Sequence, residues 1–434
     1  MRNLISLCVC MLLLPLIAGR AGAAICALDD PPAATLLLPY FEVDIDHPSG
    51  VTTLFSIANA SATAVLANVV LWTDLGVPTL SFPVYLTGYD VQTINLRDTF
   101  AGNLPQTASV GQDPDDSISP HQPILSQDIN FASCAGLLPP PPLDAAAVAD
   151  LRAAHTGLPS ASLGGCAAQA IGDGHVRGYV TIDTVSSCST TRRTPADAGY
   201  FGAGGTGRAT DQNVLWGDFF LLDSSENTAE GETLVRVEAQ PEAFHSGDLT
   251  FYGVFDDYTA IDDREPLATA WGMRFLNGGN FSGGTDTLAW RDPQRRVTPF
   301  PCNVPNNLPS WYPLGQRTMV IFDEQEHPVL PFVCPFECPP GLDELPFPAA
   351  ANRVHVGGAS FPVPFDFGWV DFDLKISTTQ SAWVPGLPMR SQSWLVTLMS
   401  AAGRYGEGFS ASPFDTGCAP IVDCTNGVCS PPPR

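Results

Sequence analysis

Short apolar runs that alternate with period two, each closed by turn residues, most restrict what this chain can fold into. From Thr35 to Phe100 the pattern predicts five strands: Thr35–Asp44, Val51–Asn59, Val65–Asp74, Thr79–Thr87 and Val91–Phe100. Leu54, Ser56 and Ala58 alternate against Phe55 and Ile57, and Val91, Thr93 and Asn95 against Ile94 and Leu96. A period of two sends successive side chains to opposite faces of a sheet. The breaks fall at 46–50, 59–61, 75–78 and 88–90, where Pro, Gly, Asn and Asp favour turns. The chain's 41 prolines and 39 glycines are spread along its length, so the same pattern is expected throughout.

Five strands leave open sheet edges, and sandwiches of this type use about seven or more. The missing strands are expected after an insertion at 101–170. Within it, Gln106–Gln122 reads as acidic loop and Pro139–Pro142 as a stiff run. Leu143–His155 reads as a helix capped by Asp144, with Val148, Leu151 and Ala154 on one side and Gly157 past its end. Cys134 and Cys166 flank this segment and are the natural pair to pin it. Strands at Val176–Val185, Leu215–Asp223 and Thr233–Ala239 would then complete a first module at 28–240. A second module at 241–418 and a cysteine-containing tail at 419–434 follow.

The halves resemble each other in sequence. Phe55–Asn59 matches Met273–Asn277, and Trp72 and Asp74 match Trp290 and Asp292 at the same offsets. Gly178–Asp183 matches Gly368–Asp373 as Gly, aromatic, Val, any, apolar, Asp. A competing match sets Phe322-Asp323 with Pro328, Leu330 and Phe332 against Asp74, Pro78, Leu80 and Phe82.

The N-terminus carries Arg2, an apolar stretch from Leu4 to Ala18, and Ala21-Gly22-Ala23. That pattern predicts a secretory signal peptide at 1–23, cut after Ala23. The apolar stretch is shorter than the roughly 20 residues a spanning helix needs, and no later segment is a transmembrane candidate. Removing Cys8 and Cys10 from twelve cysteines leaves ten: Cys26, Cys134, Cys166, Cys188, Cys302, Cys334, Cys338, Cys418, Cys424 and Cys429. An even set in an exported chain predicts disulfides, in the periplasm, at the cell surface or outside the cell. No Cys-x-x-Cys pair is present, and His327 and His355 lie at no zinc-ligand spacing.

Charge excludes partners. Twenty basic residues less Arg2 and Arg20 leave 18 against 45 acidic ones, moving the net charge from −25 to −27. Such a surface repels phosphate backbones and anionic lipid, so nucleic acid is not an expected partner. The mature chain of about 410 residues is too long for one ordinary core.

The run from Leu37 to Leu96 carries Tyr40-Phe41, Thr-Thr-Leu-Phe-Ser-Ile-Ala-Asn at 52–59, Val-Val-Leu-Trp-Thr-Asp at 69–74 and Gly-Tyr-Asp-Val-Gln-Thr-Ile-Asn-Leu at 88–96. It resembles an immunoglobulin-like β-sandwich module of secreted bacterial proteins, and Gly178–Asp183 resembles that module's closing strand. The resemblance implies two tandem antiparallel sandwiches acting as spacers or binding units.

Candidate chemistry is sparse. Glycoside hydrolysis needs two carboxylates facing each other across a bond. Asp366, Asp371 and Asp373 surround Trp369, but Asp371 and Asp373 share one face of one strand. Glu42, Asp44 and Asp46 alternate into a turn and are the candidate calcium ligands, without the helix-loop-helix calcium pattern. Asp113, Asp115 and Asp116 form a further acidic knot. No Gly-x-Ser-x-Gly or His-Glu-x-x-His motif occurs, and Gly202–Gly207 reads as loop. Trp311-Tyr312 and Trp383 are the candidate surface aromatics. The expectation is a secreted, non-catalytic structural, adhesive or binding β-sandwich protein with no required cofactor, whose partner is an extracellular protein or glycan. The alternative is an extracellular hydrolase or carbohydrate-binding protein using the acids around Asp366–Asp373.

Overall fold

The computed structural model describes residues 31–106, 132–134, 137–189, 191–239, 250–255, 259–293, 296–302, 309, 312, 314, 318–329, 346–374, 392–402, 404–414, 423–425 and 428–430. The segment 1–23 that the sequence pattern marks as a signal peptide, Cys26, Cys334, Cys338, Cys418, the acids at 113–116, Trp311 and Trp383 lie outside the described residues.

The chain is predominantly antiparallel β. The first half has β1 (Thr35–Asp44), β2 (Thr52–Asn59), β3 (Val65–Thr73), β4 (Pro78–Leu86), β5 (Val91–Asn95), β6 (His175–Val185), β7 (Leu215–Trp216), β8 (Asp218–Asp223), β9 (Thr228–Thr233) and β10 (Val235–Val237). The second has β11 (Ala270–Leu276), β12 (Gly284–Arg291), β13 (Thr318–Phe322), β14 (Pro328–Val329), β15 (Ala351–His355), β16 (Phe367–Asp373), β17 (Ser393–Ala401), β18 (Tyr405–Ser410) and β19 (Ser412–Pro413). A hairpin of β20 (Asp423–Thr425) and β21 (Val428–Ser430) sets Cys424 opposite Cys429.

Four main sheets result among the described residues. Sheet I runs β10-β1-β6-β3-β4 and sheet II β5-β2-β8-β9, with β7 also on β2. Sheet III runs β19-β11-β16-β13-β14 and sheet IV β15-β12-β17-β18. Exchanging β1–β6 for β11–β16 and β8–β10 for β17–β19 converts sheets I and II into III and IV. Single residues follow the same exchange. Phe41 lies opposite Gly178 as Phe275 lies opposite Gly368, and Trp72 opposite Tyr179 as Phe322 opposite Trp369. A Cβ at Gly178 would sit 1.9 Å from the Trp72 carbonyl oxygen, and one at Gly368 2.1 Å from that of Phe322. Both glycines are there because the neighbouring backbone leaves no room for a side chain.

This threading selects among the sequence matches. Gly178–Asp183 and Gly368–Asp373 lie on the equivalent strands β6 and β16, and the Asp74–Pro78 and Asp323–Pro328 segments join equivalent pairs. The Asn59/Asn277 and Trp72/Trp290 matches instead set β2 on β11 and β3 on β12, which hold different places in the sheets. Alternating strands look alike in sequence, and only their pairing separates them.

Local chemistry explains the remaining boundaries. The strand expected to reach Phe100 stops at Asn95, whose side chain accepts from the Arg97 N–H and caps a short helix, α1 (Leu96–Phe100). The insertion helix is α2 (Ala145–His155), capped by Asp144 through the Ala147 N–H at 2.8 Å. The expected Cys134–Cys166 pairing is not formed. Cys134 bonds Cys188, and Cys166 bonds Cys302 in the other half. Cys166 is held there because its backbone bridges to Phe300. Tyr312, one of the candidate surface aromatics, is buried beside this disulfide and donates its hydroxyl to the Leu75 carbonyl at 2.6 Å.

All ten residues of β1 are buried, because both faces of sheet I are covered. A bulge between Leu38 and Phe41 preserves the facing. Leu36, Leu38, Phe41 and Val43 share a core with Phe55, Ile57 and Phe219 of sheet II and with Phe100 and Leu151 of the helices. The opposite face meets the second half, where Tyr179 packs edge-on against Trp290 at 6.0 Å. One continuous core contains residues of both halves, including Leu288, Trp290, Val396 and Leu398. Fully burying each large apolar side chain is worth about 1.5–3 kcal/mol, so this seam holds the halves together.

Candidate functional site

Past its bulge, β1 turns Glu42 towards the second half, and β6 presents His175 and Arg177 beside it. Strand β15 supplies Arg353 and His355 from the other side. The Glu42 carboxylate, almost wholly buried, joins the two. Its Oε1 accepts from His175 Nδ1 at 2.7 Å and from an Arg177 terminal nitrogen at 2.6 Å. Its Oε2 accepts from the Tyr40 hydroxyl at 3.1 Å and from an Arg353 terminal nitrogen at 3.2 Å. Burial pushes the Glu42 pKa up, but the His175 hydrogen bond and the two guanidiniums outweigh it and hold the group at about 2. Arg177 is braced by Asp173 at 2.6 Å. Arg353 is braced by Asp286 at 2.7 Å, and His355 Nδ1 meets the same carboxylate at 2.7 Å. The hydrogen bonds to Glu42 and Asp286 raise the pKa values of His175 and His355 respectively.

Above this network lies a cavity of about 470 Å³, walled by both halves. That volume falls within the roughly 300–1,000 Å³ of small-molecule sites. The first half contributes Tyr40, Glu42, Asp74, Gln169 and Arg177; the second contributes Arg353, His355 and the turn through Ser360. Asp74 is buried, and burial lifts its carboxyl to about 7 against hydrogen bonds from Gln169. The Gln169 amide nitrogens, backbone and side chain, donate to it at 3.2 and 3.0 Å. The Asp74 carbonyl accepts from the Ala350 and Ala351 N–H groups at 2.9 and 3.0 Å, tying the cavity wall across the seam.

The sequence candidates fall differently. Glu42 is at the cavity, but its oxygens are spent on protein donors. Asp44 closes the following turn, accepting from the Asp46 and His47 N–H groups, both at 2.9 Å, and from His47 Nδ1 at 3.0 Å. The hydrogen bonds and the nearby His47 outweigh burial and lower the Asp44 pKa. Asp46 stands at that turn, its carboxylate against Gly174. Among the described residues no group of three or more His, Cys, Asp or Glu side chains gathers as a metal site.

Asp371 and Asp373 lie along β16 on the outer face of sheet III. Across the sheet Asp371 meets Gly272 and Val320, and Asp373 meets Ala270 and Thr318, so neither faces a second carboxylate. Asp366 precedes the strand and accepts the Asn277 N–H through its carbonyl at 2.7 Å. Trp369 is partly exposed there, packed edge-on against Phe414 at 6.3 Å.

Sequence reasoning missed Asp74, Gln169, Arg177, Arg353 and His355 as a site. A signal was present. His175-x-Arg177 and Arg353-x-His355 each place two basic groups on one strand face, in a chain with only 20 Lys and Arg.

Comparison of the chain with models of protein families, with curated proteins and with solved structures found no match.

Proposed function

We propose that this chain is an exported, non-catalytic binding protein of two immunoglobulin-like sandwiches, which holds a small polar ligand in the cavity between them. The observation that carries the reading is the cavity itself, whose walls come from both halves and whose charged groups are already paired and oriented. Preorganised polar groups in a concave site favour binding, because little side-chain order is lost on association. Both oxygens of Glu42 are occupied by protein donors, which favours binding over catalysis. The test is a thermal-shift screen of a broad small-molecule library on the oxidised chain and on Ala359→Trp, which plugs the exposed rim. Compounds that stabilise the parent and not the plugged variant support the reading; stabilisers that act equally on both refute it.

One observation favours a hydrolase as second reading: a carboxyl at about 7 and another at about 2 border the same cavity. Environments that separate two pKa values in this way mark acid and base partners in known sites. A hydrolytic activity lost in Asp74→Asn and kept in Asp371→Ala would establish it. Activity lost in Asp371→Ala alone would place the chemistry on sheet III.

A further inference from the structure

The composition of the cavity wall restricts what can enter it, if the cavity is the binding site proposed above. Each guanidinium there already faces two carboxylates. Arg177 contacts Glu42 and Asp173, and Arg353 contacts Glu42 and Asp286. A ligand anion would have to displace one of these carboxylates, leaving a desolvated charge behind. A ligand cation would approach two guanidiniums that cannot lose their protons, while the Glu42 carboxylate is already paired to both and Asp74 is already bonded to Gln169. Neither sign of charge is welcomed.

The wall offers both kinds of hydrogen-bonding group. Guanidinium N–H groups and the Ser360 hydroxyl can donate, and the Tyr40 and Ser360 oxygens can accept. The same wall also carries the apolar side chains of Pro346, Pro348, Ile171 and Val354. Donors, acceptors and C–H surface in one cavity suit a ligand that has hydroxyls around its edge and a C–H face.

We infer that the cavity binds an uncharged saccharide, its hydroxyls bridging the Arg177–Glu42–Arg353 network and its ring face resting on the prolines. The ligand contacts both sandwiches at once, so the relative placement of the halves sets its affinity. No bond is made or broken.

The experiment is isothermal titration calorimetry of the full oxidised chain. The probes are cellobiose, maltose, lactose and N,N′-diacetylchitobiose, with glucuronate and glucosamine as charged counterparts. At least one neutral sugar binds, the charged ones bind at least tenfold more weakly, and Ala359→Trp weakens the neutral sugar at least tenfold. Ala359→Ser, which leaves the rim open, keeps parental affinity. Thermal melting of both variants verifies that they fold. Tighter binding of glucuronate or glucosamine, sensitive to Ala359→Trp, overturns the saccharide class and leaves the cavity as a binding site. Binding of no probe also overturns it, and the library screen then decides the cavity separately. Sugar binding indifferent to Ala359→Trp overturns both.

Discussion

Replacing Glu42 by Gln removes the charge that joins the halves while keeping the side chain's shape. In the folded chain this carboxyl sits at about 2 instead of its ordinary 4.5, although it is almost wholly buried. A displacement of that size corresponds to about 3 kcal/mol of preference for the ionised form. Because the folded value lies below the unfolded one, the stabilisation is complete above pH 4.5 and is lost as pH falls through about 2. Arg177 and Arg353 keep Asp173 and Asp286 in the variant, so neither guanidinium is stranded. Urea unfolding of parent and Glu42→Gln, followed by tryptophan fluorescence at several pH values, measures the difference. It should be about 3 kcal/mol at pH 7, begin to shrink below pH 4.5 and approach zero near pH 2. A loss below about 1 kcal/mol at pH 7, the range of an exposed ion pair, would refute the reasoning. So would a gap that does not change with pH.

Burial lifts Asp74 and Glu230 to about 7, above their ordinary values, so the folded state holds their protons more tightly than the unfolded one. Their effect is to lower stability as pH rises from about 4 to above 7, and Asp74→Asn should flatten that slope in melting curves. The double change Cys166→Ser with Cys302→Ser removes the covalent tie between halves and should cost about 2–4 kcal/mol by calorimetry. Gly178→Ala and Gly368→Ala should each destabilise by at least about 2 kcal/mol in urea titrations, because each Cβ collides with a backbone carbonyl. Peptide mapping of the oxidised chain should recover the Cys134–Cys188 and Cys166–Cys302 pairs.

Local structure was legible because local chemistry decides it. The strand Thr35–Asp44 and the Asp144 cap each appear where the sequence placed them. What was illegible depends on partners far away in the chain. Cys166 could have paired with several cysteines, and only its backbone bridge to Phe300 selects Cys302. The equivalence of β1 with β11 was hidden because Met273–Asn277 resembles Phe55–Asn59 as closely as any alternating strand does. Glu42 drew attention as one of a run of acids, a reading that looks along the strand. Its partners lie across it: Arg177 is 135 positions away and Arg353 is 311. The acids around Trp369 stood out by density alone, and the sheet places no carboxylate opposite them.

A crystal structure of the oxidised chain, soaked with the compound that stabilises it most in the thermal screen, tests the binding account most directly. The account predicts ligand density between β1, β6 and β15, in contact with Arg177 and Arg353, with Glu42 still bridging the two guanidiniums. Density elsewhere, or halves standing apart with Glu42 and Arg353 out of contact, would contradict it.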